Sequence, residues 1–131
     1  MKNIIVFCGV LFLLTGCSST KMNKEEINQK LDASTGKEIV LVKVVNDSRC
    51  PEGTQCIWAD EVTIEVAAYE NKKLVEQVTF TLNKNTAKEV KTWFSKHLPV
   101  EKEVLKGINV LPHPKEGVQV FPENYYIKLV Y

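Results

Sequence analysis

The residues best suited to chemistry in this 131-residue chain lie in one stretch, residues 48–61, with the sequence SRCPEGTQCIWADE. The stretch holds two cysteines, Cys50 and Cys56, and the tryptophan Trp58. A cysteine pair can ligate a metal, exchange electrons or form a disulfide. The compartment and the neighbouring residues decide among these three kinds of chemistry.

A metal site would need further ligands, because zinc is usually held by four side chains, or by three and a water. The chain has two histidines, His97 and His113, and neither stands at a spacing that links it to Cys50. A redox pair usually has C-x-x-C spacing at the start of a helix, which stabilises the thiolate. Here the spacing is C-x5-C before a predicted strand, so the pattern favours neither chemistry, although a metal carrier stays an alternative.

The N-terminal residues predict export from the cytoplasm. Lys2 followed by an apolar run over 4–14 is typical of a signal peptide, and the run is too short to span a bilayer. Residues 14–17, LTGC, resemble the lipobox of bacterial lipoproteins, in which the signal is cut before the cysteine and its sulfur receives a diacylglycerol. The resemblance implies a lipoprotein whose Cys17 carries fatty acids such as palmitate, with the membrane as a partner through this anchor.

The predicted location is the cell envelope, and in a Gram-negative cell the outer membrane, because Ser18 and not Asp follows Cys17. The domain would then face the periplasm or the cell surface. Disulfides persist in such oxidising surroundings, and closing a ring of seven residues restricts the unfolded chain by about 2 kcal/mol. We therefore predict a disulfide between Cys50 and Cys56.

Chain length and charge limit the organisation of the protein. Removal of residues 1–16 leaves about 115 residues, enough for one domain. We predict a signal peptide over 1–16, the lipidated cysteine and a flexible tether over 17–36, and a single β-rich domain over 37–131.

The chain has 17 basic and 16 acidic side chains, and the loss of Lys2 leaves the mature form neutral. Nucleic acid is therefore not an expected partner.

Strand patterns dominate the mature sequence. An almost continuous apolar run over 38–45 predicts a strand that is apolar on both faces, and alternation on either side of the polar turn 70–73 predicts a hairpin. The sequence TAKE at 86–89 fits a capping box, and the apolar residues after it predict a helix over about 87–98. Further strands are expected over 104–111 and 125–131. The expected fold is mainly β, an antiparallel sandwich or small barrel of about five to six strands with one added α-helix.

The cysteine segment also resembles a known motif. DSRCP at 47–51 and CIWA at 56–59 resemble the DSRCP…CxWAG motif of a poorly characterised group of bacterial secreted proteins and lipoproteins. The sequence LPHP at 111–114 and a last strand that opens with Tyr125 resemble its C-terminal third, while Asp60 stands where that group usually has glycine. The resemblance implies a β-rich extracytoplasmic fold and no catalytic role.

Within the motif, Asp47, Arg49 and Trp58 are the candidate binding residues. A structural role is also open to each of them: Asp47 can accept backbone hydrogen bonds, Arg49 can pair with an acid or cover carbonyls, and Trp58 can pack on the disulfide. The alternative is that the loop forms a recognition edge, since loops on rigid scaffolds often bind partners.

The sequence contains no familiar catalytic motif, such as G-x-S-x-G, H-E-x-x-H or a nucleotide-binding glycine loop. We therefore expect no catalytic residues, no cofactor and no metal. The predicted function is that of a non-catalytic, lipid-anchored β-domain that binds an envelope protein or glycan, or has an accessory role in the envelope. A metal carrier and a small hydrolase are the alternatives.

Overall fold

The computed structural model describes residues 16, 25–32, 35–99 and 103–131. Cys17 lies outside these residues, as do nearly all of the predicted signal peptide and the first part of the tether. Among the described residues, no helix has the length and apolar character needed to cross a membrane. The elements are, in chain order, β1 Glu26–Ile27, β2 Lys37–Asp47, β3 Val62–Glu70, β4 Lys73–Leu82, α1 Ala87–His97, β5 Gly107–Leu111, a 3₁₀ turn at Pro122–Asn124, and β6 Tyr126–Val130.

The described strands form two separate antiparallel sheets of three strands each, with the orders β1-β6-β5 and β2-β3-β4. In the described part of the chain the fold is therefore a small β-sandwich with one helix and not a closed barrel, which confirms the predicted mainly β class. The β3-β4 hairpin turns at Asn71 and Lys72, whose φ angles of 51° and 64° are those that a two-residue hairpin turn needs.

The core lies between the sheets and under α1. Its large buried strand residues come from both sheets and include Leu41, Ile64, Val66, Val110, Ile127 and Leu129. The prediction that β2 is apolar on both faces holds only for its first half, because Val42 and Val45 are exposed. The β2-β3 register shifts at each of these two residues, and a bulged residue turns its side chain out of the regular alternation.

The helix α1 begins where predicted and ends one residue early, and it contributes an aromatic cluster to the core. Val90, Trp93 and Phe94 are buried. The ring of Trp93 packs edge-to-face against Phe80 of β4 and against Phe94, with centroid distances of 5.5 and 5.4 Å. Such pairs add to the stabilisation from buried area.

The predicted capping box does not form. Thr86 has near-helical angles, φ −96° and ψ −8°, and makes no side-chain bond to the helix. Its hydroxyl donates instead to the carbonyl of Thr81 at 2.6 Å, while Asn83 Oδ1 accepts the amides of Asn85 and Thr86. The Thr86 hydroxyl also accepts the amide of Asn83 at 3.1 Å, so it is bonded within the turn between β4 and α1 and does not cap the helix.

Residues 25–32, which the sequence assigns to the tether, belong to the folded domain. β1 pairs with β6, and Ile27 is buried in the core. The carbonyl of Asn28 accepts the amide of Leu41 at 3.0 Å, so this segment also contacts the other sheet. The predicted domain start at residue 37 is therefore too late. The segment has two apolar residues, Ile27 and Leu31, and their four-residue spacing shows no strand period, so this pairing is not visible in the sequence.

Candidate functional site

The candidate site forms where β2 ends and residues 48–61, here termed the disulfide loop, begin. Cys50 and Cys56 are joined by a disulfide, as predicted. Gly53 within the ring has φ +81°, a conformation that glycine adopts without strain. The amide and the hydroxyl of Ser48 both donate to the carbonyl of Glu61 at 2.9 Å. These two bonds close the base of the loop.

Asp47 and Arg49 form a bidentate ion pair at the base of the disulfide loop. Arg49 Nε lies 2.8 Å from Asp47 Oδ1, and Nη2 lies 2.8 Å from Oδ2. The two side chains are only 9% and 11% exposed. Burial alone would raise the pKa of Asp47, but the hydrogen bonds and charge of Arg49, together with the Tyr125 hydroxyl, outweigh it and hold that pKa below its ordinary value. The carboxylate is therefore ionised at neutral pH.

Arg49 and Asp47 also form hydrogen bonds that link the two sheets. Arg49 Nη1 donates to the carbonyl of Val110, and Nη2 donates to that of Pro112 at 3.1 Å, both at the end of β5. The hydroxyl of Tyr125, just before β6, donates to Asp47 Oδ2 at 3.0 Å. Burial and the nearby carboxylate raise the pKa of Tyr125, so its hydroxyl keeps its proton. The ion pair thus joins the end of β2 to the ends of two strands in the opposite sheet.

The other candidate residues contact the same short segment. Trp58 Nε1 donates to the carbonyl of Ser48 at 2.8 Å. His113 Nε2 lies 3.0 Å from the carbonyl of Cys50, and since a carbonyl only accepts, this nitrogen carries the proton. Asp60 Oδ1 accepts the amide of Cys50 at 2.9 Å. Residues 48–50 are therefore held by the loop itself and by the segment that follows β5.

Asp47 and Arg49 have the structural roles that the sequence left open to them. Asp47 accepts hydrogen bonds, including the amide of Arg49 at 3.3 Å. Arg49 pairs with this acid and donates to two backbone carbonyls. Sequence reasoning missed two residues, Asp60 and Tyr125. Asp60 drew notice only as a departure from the motif, yet its carboxylate satisfies a backbone amide in the disulfide ring. The sequence showed Tyr125 as an aromatic residue at the start of a strand and gave no sign that it would bond to Asp47. Its bond to Asp47 spans 78 positions, and no local spacing signals a contact of that range.

The outer part of the disulfide loop presents apolar side chains to solvent. Ile57 is fully exposed, and Trp58 is 56% exposed although its ring nitrogen is bonded to Ser48. A tryptophan whose polar edge is satisfied and whose ring is accessible can cover an apolar surface of another molecule. The loop can therefore offer an apolar contact surface to another molecule.

The two histidines lie at opposite ends of the sandwich. His97 is buried at the end of α1, with Nε2 2.8 Å from Glu76 Oε2, and this hydrogen bond lowers the pKa of Glu76. Lys37, at the start of β2, donates to the carbonyl of Lys96 at 3.3 Å, so the neighbouring His97 lies near the start of β2. His113 contacts Cys50, which follows the end of β2. Within residues 25–32, 35–99 and 103–131, no three His, Cys, Asp or Glu side chains are grouped so that they could hold a metal.

Comparisons with protein-family models, with curated proteins and with solved structures find no match to this chain. Its function is therefore inferred from its residues and their geometry.

Proposed function

We propose that this protein is a lipid-anchored binding domain of a bacterial cell envelope and that the disulfide loop is its recognition edge. The lipobox-like sequence LTGC at 14–17 supports the anchor, since acyl chains on Cys17 would hold the domain on a membrane. The Cys50–Cys56 disulfide suits an oxidising compartment. The outer membrane is the proposed location if the cell is Gram-negative.

The exposure of Trp58 on a constrained loop is the observation that carries this proposal. A mobile loop loses conformational freedom on binding, and this loss weakens affinity. Here the disulfide, the bonds between Ser48 and Glu61 and the carboxylate of Asp60 constrain the backbone before any partner arrives. Tryptophan is also among the residues most enriched in the energetic centres of interfaces. The loop therefore combines a rigid frame with a side chain suited to contact.

The polar groups at the base of the loop favour binding over catalysis. The carboxylate of Asp47 accepts bonds from Arg49 and from Tyr125, and the guanidinium donates to Asp47 and to two carbonyls. With these bonds made, neither group is placed to take a proton from a substrate or to stabilise charge that develops on one. Their effect is to hold the disulfide loop on the sandwich.

Metabolic labelling with an alkyne-bearing fatty acid tests the anchor. The wild type is expected to carry the label and to sediment with membranes, whereas Cys17→Ala loses both properties. Ser18→Ala is the matched control, because it changes the next residue and leaves the thiol. A wild-type protein without label would contradict the anchor.

Chemical cross-linking in intact cells tests the recognition edge. A lysine-reactive, cleavable cross-linker is applied to cells that produce the full-length wild type, Trp58→Ala or Leu74→Ala. Leu74 is as exposed as Trp58 but lies on β4. We expect a product with an envelope protein or an amine-bearing glycan that Trp58→Ala loses and Leu74→Ala keeps. The same products from all three proteins would contradict a role for the loop.

A further inference from the structure

The N-terminal segment enters the domain at the end remote from the disulfide loop. Gln29 Nε2 donates to the carbonyl of Tyr125 at 3.0 Å, just before β6, whereas the carbonyl of Glu25 accepts the amide of Leu129 at 2.7 Å, near the end of β6. Followed towards its N-terminus, the chain thus moves away from the loop, by about 13 Å over these four residues at the rise of a strand. The described segment therefore enters the domain at the end of β6, away from the disulfide loop.

A second loop, residues 112–125, lies beside the disulfide loop. The backbones of Glu52 and Lys115 are bridged, and the amide of Glu52 donates to the carbonyl of Pro114 at 3.2 Å. We call residues 50–61 and 112–125 together the distal surface. Trp58 and Phe121, the two tryptophan or phenylalanine side chains in the described part of the chain that are at least half exposed, both belong to it.

The distal surface is acidic although the mature chain is neutral. It contains five carboxylates against one lysine, a net charge of −4 with histidine neutral. The carboxylates are those of Glu52, Asp60, Glu61, Glu116 and Glu123. Such a surface is repelled by anionic lipid and attracts lysine and arginine side chains.

We propose that the distal surface docks, through Trp58 and Phe121, into an apolar pocket rimmed by lysine and arginine on another envelope protein. This inference rests on the proposed function and names the partner class for the same loop. Aromatic residues at the centre and charged residues at the rim are the common anatomy of protein interfaces. A neutral glycan offers no cations to the five carboxylates, and an anionic bilayer would repel them.

Photo-cross-linking in living cells tests the docking. The photoreactive residue p-benzoylphenylalanine replaces Ile57 in the full-length protein, and in a matched control it replaces Val104, an exposed apolar residue next to the segment that pairs with the end of β6. We expect a discrete adduct with one identified protein from position 57 and not from position 104. Adding Trp58→Ala or Phe121→Ala should reduce that adduct about tenfold, the effect of losing a main contact residue.

The charge argument is tested with the identified protein after purification. Its affinity for the wild type and for the double variant Glu52→Lys and Glu116→Lys is measured at low and at high salt. The variant should bind several-fold more weakly at low salt, and the difference should shrink at high salt because ions screen exposed charges. Circular dichroism of each variant shows whether the sandwich is folded. Equal affinities of the two proteins at low salt would overturn the basic rim.

The other outcomes show whether this inference fails alone or together with the proposed recognition edge. An adduct with lipid, with glycan or with a second copy of this chain would overturn the protein pocket and leave the loop as a recognition edge. A protein adduct that is unchanged by Trp58→Ala and Phe121→Ala would overturn the aromatic docking. If no adduct of any class depended on position 57, the inference and the proposed recognition edge would both fall.

Discussion

The guanidinium of Arg49 meets the carboxylate of Asp47 through two parallel contacts of 2.8 Å, although the two residues are separated by only one position. The same guanidinium donates to two carbonyls at the end of β5 in the opposite sheet. One side chain thus joins the end of β2, the start of the disulfide loop and the second sheet. We therefore expect the stability of the sandwich at this end to depend on that side chain.

Replacing Arg49 by alanine should destabilise the domain by about 3 kcal/mol, because it leaves a buried carboxylate without its charge partner. Lys43→Ala is the matched control. It removes a surface ion pair with Glu65, in which the lysine side chain is 63% exposed, and should cost less than about 1 kcal/mol. Urea denaturation followed by tryptophan fluorescence measures both. Equal effects of the two substitutions would show that the contacts of Arg49 stabilise the sandwich no more than a surface ion pair does.

Acid should weaken the fold through Asp47. Its pKa is lower in the folded than in the unfolded chain, so the ionised carboxylate stabilises the fold fully above about pH 4 and loses this effect as the pH falls through the folded pKa. Asp47→Asn should be less stable than the wild type at pH 7, and the difference should shrink towards pH 2. The free energy of unfolding measured at several pH values checks this. A constant difference between the two proteins would contradict it.

Glu76→Gln provides the comparison for the acid experiment. The pKa of Glu76 is also lowered, first by its hydrogen bond from His97, but its carboxylate lies at a more exposed site. Loss of this group should therefore change the acid dependence less than loss of Asp47.

Removing the disulfide should cost about 2 kcal/mol, the entropy of a seven-residue ring in the unfolded chain. The double variant Cys50→Ser and Cys56→Ser should still fold, because the core residues of both sheets lie away from the ring. Thermal unfolding of this variant measures the cost, and its far-ultraviolet circular dichroism shows whether the sheets persist. Mass spectrometry of the wild type purified without reductant should find Cys50 and Cys56 in one linked peptide, and two free thiols there would contradict the bridge.

Ile27→Ala should destabilise the domain by about 3 kcal/mol, a typical cost of replacing a buried isoleucine by alanine. Ile27 is 5% exposed and lies in β1. Leu31→Ala, four residues later and 37% exposed, should cost less than half as much. Chemical denaturation of both variants tests whether the domain begins before residue 37. An unchanged free energy of unfolding in Ile27→Ala would indicate that this segment belongs to the tether and not to the folded domain.

Several elements could be predicted from the sequence because their signals are local. The alternation of apolar residues through Ile64 and Val66 fixes which face of β3 is buried, and the polar turn after it sets the hairpin. The apolar spacing of Val90, Trp93 and Phe94 likewise predicts the buried face of α1. The capping box was wrong although its residue types fitted, because the hydroxyl of Thr86 is used by the preceding turn. A local pattern does not show which of two nearby partners a side chain takes.

The sequence by itself determined the strand periods, the single helix and the cysteine pair close enough to bridge, since each depends on residues near one another in the chain. Only the tertiary structure decided that β1 joins β6, that Tyr125 bonds to Asp47, and that the loop 112–125 lies beside the disulfide loop. These contacts join residues from about 60 to 100 positions apart. Their formation depends on how the two sheets pack, and that packing is a property of the whole core.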